Sequence, residues 1–348
     1  MSGTPDLLVA GGGPAGLVTA LHAARAGLDV EVWEPRTGAI DKACGEGLMP
    51  GALAALQALG VDPDGHPFHG IRYVGSGRST DAAFRAGPGR GVRRTTLHRA
   101  LHEAAVDAGA RVVARRVGAV SQDEDAVVVD GTRARHLVAA DGLHSPVRRA
   151  LGLHVAAGRH PRFGLRRHLR LAPWSPYVEV HWGRDVEAYV TPVADDVVGV
   201  AVLASTRGTF DDRVRALPGL AARLDGAAPA SGVRGAGPLR QGARRRVEGR
   251  VLLVGDAAGY VDALTGEGLA LAFGQADAAV RAIVDGVPHR YEHDWAALTR
   301  SYRWLTTALL VGTRPRPVRR ALVPVAAALG PVFDAAVNSL ARPVTRPR

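Results

Sequence analysis

The apolar positions along the chain fall into short runs of two kinds. Leu7-Leu8-Val9-Ala10 is bounded, apolar and brief, and residues 30–34 (Val-Glu-Val-Trp-Glu) repeat the type. Runs like these suit buried parallel strands. Between them residues 17–26 hold no Gly or Pro and are rich in Ala and Leu, which predicts a helix stopped by Gly27. The same pattern predicts helices over 51–59, from Thr95 or Thr96 to 108, over 210–224 and over 269–285. Strands are predicted at 71–74, 82–85, 111–117, 126–129, 136–139 and 250–254, with a hairpin turn at Asp130-Gly131. Ser145-Pro146 opens one more helix, with Pro at its first position. Residues 161–204 alternate apolar and polar side chains, as antiparallel strands with one solvated face would. Residues 288–348 read as helices broken by Pro315, Pro317, Pro324 and Pro331.

Between the first strand and first helix stands Gly11-Gly12-Gly13-Pro14-Ala15-Gly16. Gly11, Gly13 and Gly16 fit G-x-G-x-x-G: one glycine for a tight turn, one for close approach to a pyrophosphate, one for helix-on-strand packing. Glu34 ends the second strand 18 residues after Gly16, near the ~20-residue spacing of a carboxylate that takes ribose hydroxyls. Strand, glycines, helix, strand and acid in this order imply dinucleotide binding. Two later corners repeat the chemistry. Ala139-Ala140-Asp141-Gly142 closes a strand before a helix, and Gly255-Asp256 closes another before Thr265-Gly266-Glu267-Gly268-Leu269. Glycines at a helix start let amides approach a planar, electron-accepting ring and stabilise negative charge on it. Between these corners runs the loop 35–50, with Cys44 among Gly45, Gly47 and Pro50. Cys44 is either a redox or proton-transfer group beside a ligand or a small buried hydrophobe.

With 348 residues, 47% of them hydrophobic, the chain can form one large α/β unit or two interleaved domains. A single cysteine forbids an internal disulfide, and a cytoplasmic setting is expected. The N-terminal residues do not read as a signal peptide, and no apolar run approaches the ~18 residues of a membrane span. The net charge is +11, and Lys42 is the only lysine. A basic chain raises nucleic-acid binding as a remote alternative. The arginines are scattered without a matching aromatic platform, so no nucleic-acid partner is expected. Arg-flanked apolar stripes in the C-terminal helices allow contact with a membrane surface. No His, Cys and carboxylate cluster has metal-ligand spacing, so no metal is expected.

The Gly11–Gly16 loop with Glu34, Arg94 ahead of a helix, Asp141-Gly142 and Gly255-Asp256 with Gly266-Glu267-Gly268 together resemble the FAD-dependent oxidoreductases of the para-hydroxybenzoate hydroxylase fold. The resemblance implies an α/β fold in which a Rossmann-like FAD-binding domain interleaves with an antiparallel-sheet substrate domain, followed by a helical C-terminus. It implies domain segments 1–75, 92–155 and 240–290 for FAD, 76–91 and 156–239 for substrate, and 291–348 for the C-terminal helices. It further implies FAD held by Gly11, Gly13, Pro14, Ala15, Gly16 and Glu34 at the ADP end. By the same match Arg94 and Asp256 lie near the ribityl chain and pyrophosphate, Gly255 beside them, and Asp141 has a structural or nucleotide role. Gly266, Glu267, Gly268 and Leu269 face the isoalloxazine.

Lys42-Ala43-Cys44-Gly45-Glu46-Gly47-Leu48 is similar to the geranylgeranyl and menaquinone reductase branch, which implies that Cys44 and Gly45 flank the flavin. That branch carries an aromatic motif ending in Trp-x-Phe-Pro; here Glu187 to Pro192 keeps only the proline. The expected activity is NAD(P)H- and O2-dependent hydroxylation of a hydrophobic aromatic or polyketide molecule. The alternative is reduction of a carbon–carbon double bond in a prenyl or quinone substrate. His181, Glu187 and Tyr189 are substrate-pocket candidates by strand position.

Overall fold

The computed structural model describes residues 4–156 and 161–342. The last six positions of the C-terminal unit, 343–348, and residues 157–160 of the substrate segment lie outside them.

The first layer is a six-stranded sheet. Its parallel strands run, from one side, Val251–Leu253, His136–Ala139, Leu7–Ala10, Val30–Trp33 and Arg111–Val113, with Val247–Glu248 added antiparallel at the edge. Leu7 to Ala10 are fully buried, as a central strand covered on both faces must be. The chain moves outward on one side of Leu7–Ala10 and later returns to the other side. The strand order therefore reverses between Leu7–Ala10 and His136–Ala139, and a crevice opens beyond their carboxyl ends. The glycine loop, Asp141 and Gly255-Asp256 all follow strand ends on that edge.

The helix expected from residue 17 begins at Pro14, inside the glycine motif, and ends at Arg25. The helix expected from Thr95 or Thr96 spans Arg94–Asp107, so Arg94 stands in its first turn and neither threonine caps it. The strand expected over 111–117 stops at Val113. Asp130 and Gly131, both at positive φ, do turn a hairpin. Its second arm is Thr132–Ala134, in a separate three-stranded sheet, while His136–Ala139 goes on to the parallel sheet.

The second large sheet is mixed. Phe163–Arg170, Val197–Ala204, Val186–Ala194 and Val178–Trp182 are antiparallel neighbours, and Val178–Trp182 then pairs in parallel with Gly70–Gly75. The strand Gly70–Gly75 thus belongs to this sheet. The solvated face expected from alternation is absent here: Val178–Trp182 is buried throughout, and Val186–Ala194 nearly so. One face packs Val186, Ala188, Val190, Val198, Val200 and Val202 on Phe210, Val214, Leu217 and Leu220. Phe210 and Val214 lie on one short helix, Phe210–Arg215, and Leu220 on a second, Pro218–Leu224, which Leu217 precedes; one helix was expected. The other face looks into the crevice of the first sheet. Three helices, Arg290–Gly312, Arg316–Ala328 and Gly330–Leu340, close the chain.

Candidate active site

The glycine loop is shaped by contacts that tolerate no side chain. Gly11 has φ +101°, and a Cβ there would stand 2.7 Å from the Ala140 carbonyl oxygen. A Cβ on Gly16 would stand 1.9 Å from the Gly11 carbonyl oxygen. Gly13 precedes the helix and Pro14 opens it, so the free amides of the first turn face the crevice. Glu34 holds this loop as well as facing it. Its Oε2 accepts from the Gly12 amide at 2.9 Å, and its Oε1 accepts from Arg36 Nε at 2.7 Å. Burial opposes ionisation of Glu34, but these donors hold it below the usual carboxylate range. His98, which sequence reasoning missed, lies 3.0 Å from the Gly12 carbonyl through Nε2.

Four further charged groups gather at the same edge. Arg94 is buried, its Nη2 lies 3.8 Å from where a Gly13 Cβ would be, and its Nη1 has no hydrogen-bond partner among the described residues. Asp141 accepts from the Val147 amide in the first turn of the helix Pro146–Ala150, 3.1 Å, while its Oδ1 is buried without a hydrogen-bond partner among the described residues. Burial raises its pKa. Lys42 Nζ reaches Asp256 Oδ2 at 3.4 Å. Gly255, at φ +64°, gives its amide to Gln275 Oε1 at 2.8 Å, and a Cβ on it would meet the Ala15 Cβ at 2.8 Å. The first and last glycine corners are therefore neighbours in space. Arg148 ties the remaining corner to them. Fully buried, it donates to the carbonyls of Leu143 at 2.8 Å, Ala257 at 2.8 Å and Asp256 at 3.2 Å. Nothing in an arginine-rich sequence distinguishes it.

Gly11, Gly13, Glu34, Arg94, Asp141, Lys42, Gly255 and Asp256 border one cavity of about 950 Å³. Its lining also includes Arg36 and Arg116, Ala15, Cys44–Gly47, Gly266, Gly268 and Leu269. Its far end is apolar, with Ile71, Tyr73, Val178, Val180, Leu309 and Leu340. Tyr189 lines it and donates to the Leu264 carbonyl at 3.0 Å. His181 does not line it: it alternates with Val180 along the strand, faces away, and pairs with Glu179 at 3.0 Å. Glu187 shares the face of Tyr189 but sits past the cavity's end, held by Arg162 at 2.6 Å and Arg319 at 2.8 Å. Gly16 also stays out of the cavity and acts through its packing on Gly11. Glu267 is absent from the lining too; its Oε2 is buried without a partner among the described residues, and burial pushes it up to about 7. Burial likewise pushes the Cys44 thiol up, although Arg94 works against it.

A long, doubly charged nucleotide with a flat ring at one end fits this sequence of groups. The unpartnered Arg94 guanidinium nitrogen and the glycine cradles sit where a pyrophosphate needs donors and room. The FAD binding domain family matches residues 4–285. The chain belongs to that family. It is an FAD-dependent oxidoreductase, with the α/β fold and helical C-terminus expected of one. Menaquinone reductase of Mycolicibacterium smegmatis is 30% identical over 87% of this chain and 82% of its own. Digeranylgeranylglycerophospholipid reductase 1 of Methanothermobacter thermautotrophicus is 27% identical over 76% of this chain and 73% of its own. Among solved structures, an anhydrotetracycline hydroxylase from Streptomyces rimosus superposes with a TM-score of 0.75 at 23% identity, covering 97% of this chain and 75% of that one.

Proposed function

We propose that the protein reduces a carbon–carbon double bond in a long apolar substrate of the isoprenoid or quinone class, with NAD(P)H as the electron donor. Bound FAD, once reduced, supplies the hydride. The observation that carries this reading is Cys44. The thiol borders the same cavity as Gly266 and Gly268, and its burial raises its pKa, so it is protonated at neutral pH. It can therefore hold the proton that must follow a hydride. The apolar far end of the cavity suits a hydrocarbon chain and excludes water. The identity to a menaquinone reductase supports the same class. Hydroxylation of a small aromatic is the second reading. It is favoured by residues 187–192, which lack the aromatic motif of the lipid-chain reductases.

The C-terminal helices extend the proposal. Leu309, Val337 and Leu340 line the cavity from within, while Trp304, Val325, Leu329 and Val332 of the same helices are exposed. Arg300, Arg303, Arg316 and Arg320, on the first two of these helices, are exposed as well. Among the described residues no single helix is long and apolar enough to cross a membrane. We read this face as resting on an anionic lipid surface, from which an apolar substrate enters.

The test is anaerobic turnover of the holoprotein with NADPH and a short-chain menaquinone. A product still heavier by two hydrogens after the quinone ring has been reoxidised supports reduction of a side-chain double bond. Oxygen-dependent NADPH consumption, with labelled oxygen entering a phenolic substrate, would replace this reading with the second.

A further inference from the structure

We propose that Glu46 and His168 form a proton route from the protein surface to the cavity beside Cys44, an inference that rests on the reductive reading above. Glu46 borders the cavity yet is only 3% exposed, and its backbone sits at φ +60°, a region that a non-glycine residue enters at a cost. Its Oε1 accepts from the Arg94 amide at 2.8 Å. Its Oε2 lies 2.6 Å from His168 Nε2. His168, 1% exposed, reaches Ser231 Oγ through Nδ1 at 2.9 Å, and Ser231 stands at the partly exposed end of the line.

Room has been left for this pair. A Cβ on Gly199 would lie 3.0 Å from Glu46 Oε2 and 3.6 Å from His168 Cδ2. Arg166 balances the charge, 3.7 Å from Glu46 Oε1 and 3.1 Å from His168 Nδ1, and itself pairs with Asp41, which also holds Arg234. An anchor for the loop 41–47 would need only the Arg94 amide and the Arg166 ion pair. The imidazole adds a group that can take a proton on one nitrogen and release one from the other.

The need for such a route follows from the stoichiometry. Saturating one double bond adds one hydride and one proton. The Cys44 S–H bond breaks as the new C–H bond forms, leaving a thiolate that the low-polarity cavity destabilises. Glu46 returns a proton to sulfur, having received it from His168 Nε2, while His168 Nδ1 takes one from solvent at Ser231, and tautomer exchange then returns the ring to its Nε2–H form, in which Nδ1 accepts from Arg166. One solvent proton enters per double bond, and every group regains its starting charge.

The experiment uses reduced holoprotein freed of excess dithionite and a short-chain menaquinone under anaerobic conditions, with loss of a side-chain double bond read by mass after the ring is reoxidised, in the unaltered protein and in His168→Gln, His168→Ala and Glu46→Gln. Flavin absorbance checks that each variant holds its cofactor. The amide of His168→Gln can still donate to Glu46 but cannot relay, so substrate reduction is expected to slow by roughly a hundredfold. Imidazole added to solution is expected to restore His168→Ala and not Glu46→Gln. Should His168→Gln react at the unaltered rate, or imidazole leave His168→Ala unchanged, the pair is an anchor and the route is wrong. If the unaltered protein yields no reduced product, the reductive reading fails, and the route with it.

Discussion

At Gly16 one methyl group would sit 1.9 Å from the Gly11 carbonyl, and no rotamer can relieve a clash between Cβ and backbone. Gly16→Ala is therefore expected to push the first helix off its strand and to yield protein without bound flavin, read directly from the absorbance of the purified material. Such positions are legible in sequence, because the requirement is for the absence of a side chain and glycine alone meets it. Titration behaves differently, because it depends on neighbours that the sequence does not list. Glu267 has an ordinary value of 4.5 and is raised to about 7 by burial. A raised carboxyl stabilises the fold fully below its unfolded pKa and loses that contribution as pH rises through the folded one. Thermal stability should thus fall between about pH 4.5 and 7, and Glu267→Gln should flatten that decline. An unchanged pH profile in the variant would show that Glu267 is not the group responsible.

Strand and helix identities were legible at the scale of elements because apolar runs and glycine stops report them directly; which face meets the site was not. Val178, Val180 and Tyr189 look into the cavity, while His181, one residue along from Val180, turns away. Period-two alternation fixes relative facing but not which set is inward when both faces are buried, as they are here. The Asp130-Gly131 turn was legible for a similar local reason, yet its partner strand was not, since pairing is a long-range choice. The C-terminal helices show the same division. The helix Arg316–Ala328 buries Val323 and exposes Val318 and Val325, a stripe that composition suggested and only packing resolves. If that stripe meets lipid, the holoprotein should sediment with phosphatidylglycerol vesicles and not with phosphatidylcholine vesicles. Val325→Asp with Leu329→Asp should weaken the association, by about 1 kcal/mol or more per apolar side chain removed. Trp304, 72% exposed, should shift its emission to shorter wavelength on binding. Equal sedimentation with both vesicle types, or none, would remove the proposed surface.

Among the described residues, several arginines tie one unit of the fold to another. The clearest case is the group formed by buried Glu187 and Asp262 with the partly buried Arg162 and Arg319. Arg162 lies 2.6 Å from Glu187 and 3.5 Å from Asp262, and Arg319 lies 2.8 Å from Glu187. The group joins the second sheet, the segment leading to Gly266 and the helix Arg316–Ala328. Tyr302 and Tyr189 secure the same segment by donating to the carbonyls of Asp262, 2.8 Å, and Leu264, 3.0 Å. Burial raises Asp262 to about 6 even with Arg162 beside it. Removing one partner from a buried set leaves an uncompensated charge, so Arg162→Met should cost about 3 to 5 kcal/mol in urea unfolding. Glu187→Gln added to it should cost less than the two single changes summed, since both act on one network. Because Leu264 and Gly266 border the cavity, loosening the segment should also speed flavin release. Stability and flavin retention are then expected to fall together in Arg162→Met. A variant that loses stability yet keeps its flavin as tightly as before would show that this cluster holds the sheets together without shaping the cofactor site.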